Sequence, residues 1–457
     1  MIIVDEVNIK DVEYDVLDFG GLGNDPLINQ QTIQFAIDSV SNLGGGHLNL
    51  VKGVYPLGPI KLKSNVDLHI PFNCYLKFVK EKRFYHTTLF NYEGMEAIRT
   101  NSPIEIHNQT NCSITGSGII DGCGDSWRPI KNWKLTSKAW EEKLKIQNEY
   151  ITQNSTLLWY PSKSSLEGAR LGRDNISLEE SDKYYDFFRP VLISIYKSDK
   201  VLLSGITSQN SPAWNIHPLF SSNITIDSVN VKNEYYAQNG DGIDIESCVN
   251  VEVKNSNFAT GDDGICIKSG KNREARKIKA PCQNLYIHDN VVYHAHGGIV
   301  IGSEMSRGVN NVYCDNNTFV GTDVGLRFKS ALGRGGVVED IHFDNIMMID
   351  IKEQAILFDL GYSLEKIKSE SKDNDVFETN EDIPYFKDIT IANSKVSSAN
   401  TFLKINGLNK DTVSNIHIEN VEFVSSNRFN LNNCTNIEVV NVTDLETNEV
   451  INEIFNN

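Results

Sequence analysis

The feature that most restricts the fold is a short pattern that returns along the chain. It reads Gly242-Ile-Asp-Ile-Glu-Ser247, then Gly264-Ile-Cys-Ile-Lys-Ser269, Gly298-Ile-Val-Ile-Gly-Ser303 and Gly325-Leu-Arg-Phe-Lys-Ser330. Weaker copies flank these, at Ala213-Trp-Asn-Ile-His217 before and at Ala355-Ile-Leu-Phe-Asp359 and Phe402-Leu-Lys-Ile405 after. Apolar residues take every second place, the period of a strand with one buried face. A second pattern lies between the copies and opens on Asn or Asp, as in Asn223-Ile-Thr-Ile, Asn250-Val-Glu-Val, Asn284-Leu-Tyr-Ile, Asp340-Ile-His-Phe and Asn415-Ile-His-Ile. The usual interval is roughly 21 to 34 residues, the period of a solenoid. A β-sandwich would not repeat its sequence, and no propeller-blade signature is present. The expected fold is all-β: a right-handed parallel β-helix, one coil per repeat, like strands stacked in register.

Stacking turns alignment into geometry. Residues at one place in neighbouring coils lie about 4.8 Å apart, the strand spacing. Counted from the glycine that opens each copy, Asp241 falls under Asp263, and Asp262 falls under His296. Arg327 and Lys329 share the outward parity of one strand, two coils from Asp263. Three carboxylates, an imidazole and two cations are thus expected on one outer face.

The 457 residues read as a single solenoid domain, since the repeat runs almost throughout. Residues 1–60 read as an entry cap, with a short strand at Val16–Phe19, a helix over Thr32–Val40 and a strand at His47–Val51. Residues 124–187 interrupt the repeat. Lys138–Lys145 looks helical there, while Trp159-Tyr-Pro-Ser and Gly168-Ala-Arg-Leu look like loop. A long insertion just before the acidic coils could act as a lid that walls off one end of a groove.

A formal net charge of −17 argues against nucleic acid or an anionic membrane surface as a partner, though not against an anionic substrate met by local positive charge. The eight cysteines show no CxxC, and several fall at apolar strand places, so buried thiols are expected. No apolar run reaches spanning length. The acidic start lacks a basic-then-apolar leader, which reads as a cytoplasmic protein or one whose leader has been removed. Asn-x-Ser/Thr triplets at Asn108, Asn175, Asn223 and Asn316 coincide largely with coil turns, where Asn serves structure.

Three clustered carboxylates suit glycosidic hydrolysis or a metal, and no EF-hand spacing is present. Like charges this close raise at least one pKa, leaving a protonated acid beside an ionised base. An inverting glycosidase uses that split, with acid and base roughly 6.5–9.5 Å apart. Arg327 and Lys329 would grip an anionic sugar by its carboxylate. The basic run Lys268, Lys271, Arg273, Arg276, Lys277 and Lys279 is either a solvated loop or partly a substrate contact. Asp244 and Glu246 read as ion-pair partners for Lys268, and His217, in the coil below, reads as either a substrate contact or a satisfied surface residue.

Asn239-Gly-Asp-Gly242, Gly261-Asp-Asp-Gly264, His296-Gly-Gly298 and Arg327-Phe-Lys329, in this order, resemble the four signature segments of glycoside hydrolase family 28, the polygalacturonases. Ser211-Pro-Ala-Trp-Asn-Ile-His-Pro218 and Ile301-Gly-Ser-Glu304 are similar to bacterial, often exo-acting members. The resemblance implies a pectin-lyase-like β-helix that inverts the anomeric centre and needs no cofactor or metal. It implies Asp262 as general acid, Asp241 and Asp263 as the groups that hold and deprotonate the attacking water, and His296 as the group that tunes the acid. Arg327 and Lys329 would bind the galacturonate carboxylate, with Lys268, His217, Asn239 and Glu304 as further substrate contacts. The family's usual Asn-Thr-Asp is Asn239-Gly240-Asp241 here, its Gly-His-Gly is Ala295-His296-Gly297, and a frequent cysteine is Gly264. The expected activity is exo-cleavage of α-1,4-galacturonosyl bonds of pectic poly- or oligogalacturonate. A rhamnogalacturonan galacturonidase, a pectate lyase and a non-catalytic carbohydrate-binding β-helix are the alternatives. The sequence leaves oligomeric state open.

Overall fold

The computed structural model describes residues 2–146, 150–153, 156–361 and 379–457. The chain winds into a right-handed parallel β-helix, in which 34 strands join one hydrogen-bonded system. A typical coil carries three strands. Ile243–Glu246, Val249–Lys254 and Asn257–Ala259 are followed one coil later by Ile265–Lys268, Cys282–His288 and Val291–Tyr293. The register pairs Ile243 with Ile265, Val251 with Leu285 and Phe258 with Val292.

Period-2 alternation builds the core. Ile216, Ile243, Ile265, Ile299, Leu326 and Ile356 stand above one another, each paired with the next and each buried. Phe328 and Phe358 continue a neighbouring column with rings stacked at 4.2 Å. Burying each such side chain contributes about 1.5–3 kcal/mol.

The Asn that opens the second pattern has a conformational reason. Asn65, Asn111, Asn223, Asn250, Asn284, Asn311, Asn415 and Asn436 all have positive φ, between 52° and 64°. Asn tolerates that left-handed conformation better than other side-chain-bearing residues. Its amide then donates to the Oδ1 of the residue one coil below, Asn250 to Asn223 at 3.2 Å, Asn284 to Asn250 at 2.9 Å and Asn311 to Asn284 at 2.7 Å.

The caps differ in detail from expectation. Glu13–Asp15 is the first strand and Val16–Asp18 a 3-10 turn, where a strand over Val16–Phe19 was expected. The helix covers Pro26–Asn42, longer than Thr32–Val40, because Asp25 Oδ1 accepts from the Leu27 N–H at 2.8 Å and Pro26 suits the first helical position. Ile33, Ala36, Ile37 and Val40 seal the core, while Phe35 faces out. At the far end Glu449–Phe455 turns back antiparallel on Thr435–Asp444, which ends parallel growth.

In the insertion, Ser137–Ile146 is helical as expected. Thr156–Trp159 is a strand, and Gly168–Leu171 belongs to a helix over Lys163–Leu171, started by the Ser162 hydroxyl accepting from Ser165 N–H at 3.1 Å. The basic run forms a short helix, Asn272–Arg276, whose Arg273 and Arg276 both pair with buried Asp382 at 2.6 Å. All eight cysteines are unpaired, and seven are buried. Among the described residues no helix is long and apolar enough to cross a membrane.

Candidate active site

The acidic turns precede consecutive strands of one face. Gly242 N–H donates to Asp263 O at 3.0 Å, and His296 N–H donates to Asp262 O at 2.9 Å. These bonds fix Asp241 below Asp263 and Asp262 below His296, the expected register. Close backbone approach explains the glycine at 264. A Cβ there would meet Val292 Cγ1 at 2.5 Å and Gly298 O at 2.8 Å, so the absent cysteine leaves a tighter coil.

One oxygen from each of Asp241, Asp262 and Asp263 lies within 4.8 Å of the others. That is closer than the wide acid–base separation expected from sequence. Aspartates that stack on adjacent rungs are held at the strand spacing and cannot spread. Asp263 is charge-balanced by Lys329 Nζ at 2.5 Å from Oδ2 and Arg327 Nη1 at 3.6 Å from Oδ1. Oδ1 of Asp241 and Oδ1 of Asp263 are buried without a hydrogen-bond partner among the described residues. Two such oxygens can share one water, because hydrogen bonds of about 2.8 Å on each side span up to about 5.6 Å. The three carboxylates are spaced so that a cation could also bridge them, but Lys329 and Arg327 already supply the positive charge. Asp11, Glu13 and His47 form a second such group far along the coils, on the exposed cap.

The carboxyls are driven apart in acidity. Burial, then the charges of Asp244, Asp262 and Asp263, push Asp241 well above the usual carboxylate range. Burial also acts upward on Asp262 and Asp263, but it is outweighed there. His296, Lys329 and Lys134 hold Asp262 low, and Lys329 and Arg327 hold Asp263 low. The split expected from sequence therefore exists, with Asp241 rather than Asp262 as the raised member. Of the three, Asp262 is the most open, with 23 % of its side chain accessible against 2 % for Asp263.

Several expected substrate contacts are turned inward. Lys268 is buried between Glu304, at 3.0 Å, and Asp244, at 3.6 Å, and Glu304 is also 3.7 Å from Arg334. His217 is buried on Glu246 at 3.0 Å, which is the partner sequence had offered to Lys268. Asn239 accepts from Arg189 at 2.9 Å through its side chain, while its N–H lies 3.3 Å from Asp262 Oδ2. Lys329 is nearly covered by its pairing with Asp263, and Arg327 is more open. Outward parity placed these residues off the core; it could not say which are then covered from above.

The cover is a hairpin, Thr87–Tyr92 with Met95–Thr100, that sequence reasoning missed. Its turn, Glu93-Gly94, has φ of 53° and 74°, the two-residue geometry that fits hairpins, but without the usual Asn-Gly signal. The tip presses on the Gly270–Lys271 backbone, where Lys271 N–H reaches Gly94 O at 3.4 Å. Tyr92 lies 4.4 Å from the ring of Trp214, with Arg99 over its other side at 3.5 Å and Lys268 over Trp214 at 4.9 Å. Trp214 stands one rung before Asp241. Beyond this wall a cleft of about 330 Å³ opens under the hairpin, lined by Lys61, Arg99, His107, Ser194 and His217 among others. On the other edge of the face the insertion delivers Lys134, 2.9 Å from Gly261 O and 3.3 Å from His296 Nε2. No periodic signal marked Lys134 or Arg189.

The sequence model of Glycosyl hydrolases family 28 matches residues 179–446, more than half of the chain and all of this face from Asn239 to Lys329. The chain belongs to glycosyl hydrolases family 28. An exo-poly-alpha-D-galacturonosidase of Dickeya chrysanthemi is 26 % identical over 76 % of the chain, which spans only 57 % of that relative's own length. An endo-polygalacturonase of Pectobacterium carotovorum is 28 % identical over 88 % of this chain and 86 % of its own. Among solved structures, an exopolygalacturonase of Thermotoga maritima superposes with a TM-score of 0.78 and 28 % identity, over 99 % of this chain and 95 % of that one. Sequence relatives of both cleavage modes thus match this chain, and mode must be argued from the walls of the groove.

Proposed function

We propose that this family 28 protein is an exo-acting polygalacturonase that hydrolyses α-1,4-galacturonosyl bonds and releases galacturonic acid. One observation carries the reading: three carboxylates converge on an open face beside Arg327 and Lys329. Asp262, the most open of the three, protonates the leaving oxygen. Asp241 and Asp263 hold the attacking water through their two unsatisfied oxygens, and Asp263, kept ionised by Lys329 and Arg327, takes the proton that the water loses. Arg327, with Lys329 behind it, takes the sugar carboxylate, and His296 tunes Asp262. Lys268, Glu304, His217 and Asn239 support this group from beneath. A water that attacks directly from the Asp241–Asp263 pair inverts the anomeric centre, although the carboxylates are closer than the general spacing for inversion. Proton NMR of the first-formed product decides the stereochemistry, and the β-anomer is expected.

Exo action is supported by the wall of Tyr92 on Trp214, one rung before Asp241. Incubation with defined galacturonate oligomers should release monomer stepwise; early products of mixed length would mean endo action. Tyr92→Ala combined with Trp214→Ala opens the wall, and we expect dimers and trimers among the early products of that variant. Monomer alone from that variant would place the barrier elsewhere. A rhamnogalacturonan galacturonidase is separated by product analysis on rhamnogalacturonan oligomers. A lyase would give unsaturated products that absorb in the ultraviolet.

A further inference from the structure

Lys134 comes from the insertion, outside the repeat, yet its ammonium touches the imidazole next to the proposed acid. We infer that Lys134 is a positioning residue that fixes His296 as its Nδ1–H tautomer, aimed at Asp262. The inference rests on the proposed role of Asp262 as acid, and it explains what the insertion contributes to the chemistry.

The groups facing His296 come from three elements. Asp262 precedes Ile265–Lys268 and lies 3.3 Å from Nδ1. Asp323 precedes Val324–Lys329 and lies 3.9 Å from Nε2, itself paired with Lys352 at 2.9 Å. Lys134 lies 3.3 Å from Nε2, closer than Asp323. An ammonium has three donors and no acceptor, so Nε2 must accept. The single ring proton is then on Nδ1, and it points at Asp262 Oδ1. The Lys134 ammonium is held in place by Gly261 O at 2.9 Å, the residue just before Asp262.

The consequence for Asp262 is a division of labour between its oxygens. Oδ1 receives His296 and the Asp263 N–H at 3.1 Å. Among the described residues Oδ2 has only the long contact to Asn239 N–H at 3.3 Å. Oδ2 is therefore the oxygen that carries the proton to the leaving group. Without Lys134, Nε2 can hold the proton and donate toward Asp323. The Nδ1 lone pair then faces Asp262 Oδ1, two acceptors meet, and the carboxyl loses its orientation.

The test compares the full chain with Lys134→Met and Lys134→Arg. In ¹⁵N spectra of histidine-labelled protein at neutral pH, the His296 signals, assigned with His296→Gln, should show a protonated Nδ1 in the wild type and in Lys134→Arg. In Lys134→Met the proton should move to Nε2. Turnover should fall about 10- to 100-fold in Lys134→Met, less than the roughly 10²- to 10⁴-fold that general acid catalysis supplies because the acid is misaligned and not removed, and recover in Lys134→Arg. A protonated Nδ1 retained in Lys134→Met overturns the inference, and so does unchanged turnover in an active protein. A rate loss with the tautomer unchanged also overturns it, because Lys134 would then act through its charge on Asp262 or on substrate and not through His296. A wild type that cleaves no galacturonate while the tautomer shifts as expected would count against the functional reading alone.

Discussion

Asp262→Asn should lower turnover on oligogalacturonate by at least about a hundredfold, since general acid catalysis is worth roughly 10²- to 10⁴-fold. The amide keeps the shape of the carboxyl and can still accept from His296 and the Asp263 N–H, now at 3.3 and 3.1 Å from Oδ1. It cannot release a proton to the leaving oxygen. In the free protein Asp262 is held ionised by His296, Lys329 and Lys134, so it must gain its proton in the substrate complex. A uronate carboxylate supplies the means, because it adds negative charge and draws Arg327 and Lys329 onto itself, and both effects raise the Asp262 carboxyl. The substitution removes one of the charges that push Asp241 up, but also the carboxylate that His296, Lys329 and Lys134 stabilise, so the fold of the variant is checked separately from its turnover. Wild-type circular dichroism and a cooperative denaturant transition, together with the lost turnover, are the expected pair of results. Intact turnover in Asp262→Asn would transfer the acid role to another group.

The coils were legible because their two determinants are local. Alternation at period two shows which residues enter the core, and an Asn at each turn shows where the chain takes positive φ. Given those, register follows, and with it the meeting of Asp241, Asp263, Asp262 and His296. What alternation does not encode is the outer layer. Lys268 and Glu304 leave the core on the same side as Arg327, but the hairpin over Trp214 and the loop at Gly270 cover the first two and leave Arg327 open. The hairpin carries a Glu93-Gly94 turn instead of Asn-Gly, and the helix over Lys163–Leu171 contains a glycine and a short apolar stripe; both are weak signals beside a solenoid repeat. Lys134 was illegible for a different reason. Its role depends on a contact across 162 residues of sequence that no repeat relates.

Lys268→Met should be the most destabilising single change near this face, by about 3–5 kcal/mol, the usual cost of breaking a buried ion pair by removing one partner. Lys268 is the centre of a buried line, Asp244–Lys268–Glu304–Arg334, and its side chain is 5 % accessible. Among the described residues, removing it leaves Asp244 without an ion-pair partner and Glu304 with Arg334 at 3.7 Å and the Ser303 hydroxyl at 3.0 Å. Lys277→Met, which breaks an exposed pair with Glu274, should leave the denaturant midpoint near that of the wild type. The acid side of the stability curve gives a second reading. Burial pushes Glu304 up, but Lys268 and Arg334 outweigh it and hold the carboxyl far below the ordinary glutamate value of 4.5. A carboxylate with a depressed folded pKa contributes stability above its unfolded value and loses it as pH falls through the folded one. Wild-type stability should therefore decline as pH drops below 4.5, and the decline should be shallower in Lys268→Met, where less depression remains to be lost. Adding Asp244→Asn to Lys268→Met should recover part of the loss, since the two side chains are in contact and the double variant no longer buries Asp244 without its cation, while Glu304 keeps Arg334. A single variant as stable as the wild type, or a double variant that shows simple additivity, would mean that this pair is not what holds the floor of the site.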